Sequence, residues 1–218
     1  MGSMTSPASD SLSVILTRLE ARIRRVDEER WLSSRYAPAP QRATLMGLYA
    51  FYYELARVRV SVSDPTLGQI RFQWWRDALT ELMRGEPRQH DVVRVLAAEI
   101  AAGRLRAEAL LAMVERFEAA VLGQDRASEP EDLLAIAAAG ICAPGHTIAP
   151  ELSQISIDWA RLRRGEQPAA ALPRCRVPSS MRPALAHLRL RRIWARGAQA
   201  GHLQTRLCIL MAVLTGTI

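Results

Sequence analysis

From Ser11 to Leu82 the apolar residues recur three or four positions apart, and no useful length of the 218-residue chain alternates apolar with polar side chains. Leu12, Ile15, Leu19, Ile23 and Val26 form one stripe, and Leu45, Leu48, Tyr52 and Leu55 a second. Leu67, Ile70, Trp74, Ala78 and Leu82 form a third. A chain patterned this way buries its apolar surface by packing helix on helix. Propensity agrees, because Ala, Leu and Arg dominate and β-branched residues are sparse. The expected fold is all-α.

Punctuation residues set the expected boundaries. Residues 1–10 are polar and read as a disordered tail ahead of one helical domain over 11–218. The first helix is expected from Ser11 to Trp31. Arg35 to Pro40 is an extended connector, since proline disfavours helix in itself and its predecessor. A second helix follows from about Gln41 to Val60. Asp64-Pro65 supplies an N-cap and a first-turn proline for the third, and Gly85 stops it. Further helices are expected at 89–102, 106–122, 130–140, 151–164, 182–196 and 203–214, with Gly165 to Ser180 irregular.

Composition excludes several chemistries. All 29 basic residues are arginine, the habit of a GC-rich bacterial genome, and the chain has neither lysine nor asparagine. That rules out a Schiff-base lysine, a phosphate loop of GK[ST] type and a Cys-His-Asn triad. Cys142, Cys175 and Cys208 form no CxxC pair, which argues against a zinc site or disulfide scaffold and for a reducing compartment. His90, His146, His187 and His202 lack ligand spacing and are expected at the surface or in turns. The longest apolar run, Leu207 to Leu214, is far short of the roughly 20 residues that cross a bilayer. The N-terminus lacks the pattern of a signal peptide, so the expected location is cytoplasmic.

Net charge is +7 and unevenly placed: the last acid is Glu166, and eight arginines follow it. Such a field favours anionic partners, a phospholipid surface or a diphosphate. Nucleic acid is not expected, because no helix-turn-helix spacing accompanies the charge. A peripheral position at the inner face of the membrane fits the same asymmetry.

The densest cluster is LYAFYYELARVRVSVSDPTLGQIRFQWWRDAL, from Leu48 to Leu79. Leu48-Tyr-Ala-Phe51 and Trp75-Arg76 resemble the LYAF and WR segments of the squalene/phytoene synthase family, the head-to-head prenyltransferases. The resemblance implies an isoprenoid-synthase-like bundle, shortened in its C-terminal half. It also implies two aspartates at i and i+4 on the second helix, gripping the Mg²⁺ that ionises a prenyl diphosphate. Here those positions fall at about Ala56 and Val60, among Glu54, Arg57 and Arg59. No DxxxD lies downstream, so no metal ligands and no catalytic residues are assigned.

ELARVR…SVSD…QIRFQWW further resembles a divergent branch, the complex I assembly factors of squalene/phytoene synthase type, in which the aspartates are lost as well. This implies a non-catalytic accessory or assembly protein with a protein partner, one able to bind an isoprenoid or anionic lipid. The alternative is a working prenyltransferase in which Arg57, Arg71 and Arg76 bind diphosphate; only then is magnesium a cofactor. Tyr49, Tyr52, Tyr53 and Trp75 are the expected cavity lining, with Trp74 claimed by the core. Glu54 is expected to form a structural ion pair, with Arg57 on its own helix or with Arg71 or Arg76 on the next.

Overall fold

In the computed structural model, residues 11–61, 65–167 and 172–218 are described. The expected tail and Asp64 lie outside them. The first helix, α1 (Leu12–Val26), buries Ile15, Leu19 and Ile23 as its spacing requires. It does not run on to Trp31. Asp27 leaves helical geometry (φ −148°, ψ 63°), its N–H closing α1 on Ile23 and its carbonyl accepting from Trp31 to open α2 (Glu28–Ser34). The break turns the Asp27 side chain inward.

The long α3 (Ala39–Ser61) runs through the core, with Leu45, Leu48, Phe51 and Leu55 fully buried. It starts two residues earlier than expected, because Pro40 falls in the first turn, where a missing N–H costs no hydrogen bond. Gly47 permits close approach of a neighbouring helix: a Cβ there would stand 2.8 Å from Val95 Cγ1.

In α4 (Pro65–Met83) the expected stripe faces inward only in its second half, where Ala78 and Leu82 are buried, and is rotated in its first. Phe72, Trp75, Leu79 and Leu82 are buried, whereas Leu67 and Ile70 are 52% and 59% exposed and Trp74 is half-buried. Two overlapping apolar stripes compete on this helix, and packing against a later helix selects the aromatic one. Gly85 takes a positive φ and ends α4 as expected.

There follow α5 (Asp91–Ala101), α6 (Ala107–Leu122), α7 (Glu131–Cys142) and α8 (Glu151–Arg163), close to their expected bounds. The segment expected as one helix over 182–196 is divided: α9 (Arg182–Leu185), a 3₁₀ stretch (Ala186–Leu190) and α10 (Arg191–Trp194). Ala184 through Leu188 are all buried, so the segment has no outer face on which a regular amphipathic helix could lie. His187 lies inside, its ring 5.0 Å from that of Trp159, and not at the surface or in a turn.

Finally α11 (His202–Thr215) ends at Gly216 (φ 72°), beyond which Ile218 exchanges backbone hydrogen bonds with Cys175. One continuous apolar cluster runs from Ile15 to Ile218. The fold of the described residues is all-α. Among the described residues no helix is long and apolar enough to cross a membrane, and the three cysteines are free.

Candidate functional site at the centre of the bundle

The break at Asp27 aims α2 so that Arg30, only 4% exposed, enters the middle of the bundle. Its Nη1 donates to Asp27 Oδ2 at 2.5 Å and its Nη2 donates to Glu131 Oε2 at the start of α7. The guanidinium carbon lies 4.5 Å from the ring centre of Trp159, 5.5 Å from Tyr52 and 5.9 Å from Tyr49. Charge and aromatic faces therefore surround one cation.

Burial alone would lower the Arg30 pKa, but Asp27 and Glu131 outweigh it and hold the guanidinium charged. For Asp27 burial works toward protonation, and Arg30, Arg163 and His187 overcome it and keep its carboxyl low. Burial, followed by the positive charge of Arg30, pushes His187 well below the ordinary histidine range.

Tyr49, Tyr52 and Tyr53, with Trp159 among the other lining residues, border the space that remains beside Arg30, a cavity of about 180 Å³. These three positions, i, i+3 and i+4 on α3, share one face. Phe51 points the other way and packs edge-on to Trp75 at 5.2 Å. Trp75 therefore lines a different space from the tyrosines.

That second space, about 260 Å³, lies between α3 and α4 and is lined by Glu54, Arg57, Arg71, Trp74, Trp75 and His90. The two indoles stand edge to face at 4.9 Å, and each lies 5.4 Å from the imidazole of His90, a half-buried residue in the connection that leads into α5. Burial depresses the His90 pKa.

Glu54 accepts from Arg22 of α1 at 2.5 Å and from Arg57 at 3.3 Å. The expected bridge from Glu54 to Arg76 is not formed: Arg76 makes a two-pronged pair with Glu118 of α6 at 2.5 and 3.2 Å. Of the three expected anion-binding arginines, the fold gathers Arg57 and Arg71 at one pocket and sends Arg76 elsewhere.

The resemblance also implies magnesium, and the donor set does not fit it. Ala56 and Val60 carry no ligand oxygen, and Val60 is 87% exposed. Arg59, between them, reaches Glu129 at 2.8 Å. Glu131 is held by Arg30, and Asp132 by Arg116 at 2.9 Å. Glu129 also has Arg126 and Arg164 at 3.9 Å, yet burial dominates and raises its carboxyl. Each acid near the start of α7 thus faces a guanidinium. Among the described residues no three His, Cys, Asp or Glu side chains group in a way that could hold a metal.

Sequence reasoning missed Arg30, Glu131, Trp159 and the Arg59–Glu129 pair. Asp27 and Arg30 are three apart, a readable signal, but a helix continuing to Trp31 hid the turn between them. Glu131 lies 101 residues from Arg30, and no local pattern marks such a pairing.

A helical bundle with LYAF on its central helix and WWR on the next defines the isoprenoid-synthase class. Residues 23–135 match the sequence profile of squalene/phytoene synthase, and the chain belongs to that family. Curated relatives include the human protein named NADH dehydrogenase (ubiquinone) complex I, assembly factor 6, 31% identical over 96 residues. The rat and bovine proteins of that name are 32% and 29% identical over the same length. Each match covers 44% of this chain and 29% of the relative. No solved structure matches.

Proposed function

We propose that this chain is an accessory or assembly protein built on the squalene/phytoene synthase fold, with a respiratory NADH dehydrogenase complex or its precursors as partner. The observation that carries this reading is the occupied bundle centre. Arg30, clamped by Asp27 and Glu131 and stacked on Trp159, places a fully paired charge in the middle of the bundle, where an apolar prenyl chain would have to lie. Ionising an allylic diphosphate also needs charge neutralisation by metal, and arginines already engage the carboxylates near that position. The named relatives supply the partner class, over the part of their length that matches.

In this reading the ion pairs are structural, and they hold α2, α3 and α7 in one rigid body whose outer surface does the work. The pocket of Glu54, Arg57, Arg71 and Trp75 retains the chemistry to hold an anionic head group. The basic C-terminal region fits a peripheral site at an anionic membrane, and an isoprenoid or anionic lipid is the small partner most compatible with both. Deleting the gene in its host and following NADH dehydrogenase by native gel tests the role. Loss of the assembled complex, restored by the wild-type chain, is expected; unchanged assembly would remove the reading.

A further inference from the structure

The C-terminal helix has an unusual outer face. Leu203, Leu207, Met211 and Leu214 fall at i, i+4, i+8 and i+11, one stripe along α11. They are 72%, 52%, 46% and 64% exposed. The opposite face anchors the helix through buried Ile209 and Ala212, and Arg182 donates to the carbonyls of Val213 and Leu214 at its end. The stripe is therefore held outward by a fixed helix.

Arginines border it on both sides. Arg206 flanks one edge by helical position. Along the other runs a groove of about 320 Å³, where Arg189, Arg192 and Arg196 face Gln204, Leu207 and Met211. Arg189 Nη1 donates to the carbonyl of Thr217 at 2.8 Å. None of Arg189, Arg192, Arg196 and Arg206 makes an ion pair among the described residues. Burial and then the crowding of Arg174, Arg189 and Arg196 lower the Arg192 pKa, the mark of positive charge gathered without a counterion.

We infer that the stripe Leu203–Leu207–Met211–Leu214 and its arginine margin form a docking surface for an anionic phospholipid bilayer. Leucine and methionine along an arginine-edged helix suit the interface, where apolar side chains enter the acyl boundary while guanidinium groups meet phosphates. Nucleic acid would satisfy the charge and leave the apolar stripe wet. A neutral protein groove would satisfy the stripe and leave the arginines unmatched. The inference deepens the proposed accessory role by naming its membrane face, and it is tested by a measurement that does not involve turnover or assembly.

The test is flotation of the full chain with phosphatidylcholine vesicles, with and without about a third phosphatidylglycerol, at about 0.05 M and about 0.3 M salt. Binding to the anionic vesicles should exceed binding to the neutral ones by at least about tenfold and weaken with salt. Replacing Leu203→Ser and Leu207→Ser together should cut it about tenfold or more, as should Arg192→Gln with Arg196→Gln. Both pairs are exposed or only partly covered, and Arg206→Glu provides a third variant should either pair fail to fold. Equal binding of all variants, or no preference for anionic vesicles, would overturn the inference. So would full competition by millimolar inorganic phosphate, which would mark a soluble-anion site. Absence of any vesicle binding would point to an acidic protein partner and also overturn it, leaving the assembly role to stand on its own test.

Discussion

Arg30 lies 4.5 Å from the ring centre of Trp159, in the middle of the helical bundle. The pairing joins α2 to α8, and the two carboxylates beside it join α1 and α7. The charge at the bundle centre is therefore balanced within the protein itself.

Removing the cation should be costly. Arg30→Ala leaves Asp27 and Glu131 buried without their main partner, so a loss of about 3–5 kcal/mol is expected in urea unfolding. A loss under about 1 kcal/mol would mean that water reaches these acids freely.

Glu54 should matter less. Its partners Arg22 and Arg57 are partly exposed, with side chains 37% and 51% accessible, and screening weakens such pairs. Glu54→Ala should cost about 0.5–1 kcal/mol and lower the melting temperature by a few degrees. An unchanged melting temperature would count against any structural role for the acid.

The two faces of α4 make a contrast. Trp75→Ala removes a buried ring packed on Phe51 and Trp74, and should cost about 3–5 kcal/mol. Ile70→Ala, on the exposed side, should stay within about 0.5 kcal/mol. Equal costs would mean that the rotation of this helix is wrong.

Acid should begin to destabilise the chain in the histidine range. The folded pKa of His187 lies well below 6.5, so unfolding takes up a proton between that depressed value and 6.5. Stability therefore rises with pH across that window and levels off above it, with a slope of up to about 1.4 kcal/mol per pH unit. His90, lowered less, adds the same sign. Asp27, also depressed, contributes stability that is complete above about 4 and is lost as pH falls through its folded pKa. Glu129 is raised and works weakly the other way above 4.5. Urea midpoints at several pH values check this: His187→Gln should flatten most of the slope between about pH 5 and 6.5.

Much of the architecture was legible in the sequence because helix punctuation is local. Pro65 and Gly85 mark the ends of α4. The face of α4 was not legible, since Ile70, Phe72, Trp74 and Trp75 make two credible stripes and only the packing partner chooses between them. The bundle centre was hidden for a different reason. Arg30 falls within a helix expected to run unbroken from Ser11 to Trp31, and only the turn at Asp27 carries it inward. Arg76 was placed in an anion site by its neighbour Trp75, yet Glu118 of α6 claims it.

The proposed accessory role predicts that this chain does not ionise prenyl diphosphates. Incubation of the purified chain with farnesyl and geranylgeranyl diphosphate and Mg²⁺, following pyrophosphate release, tests it most directly. No release above a protein-free control is expected. Magnesium-dependent release that disappears in Arg71→Gln would contradict the account.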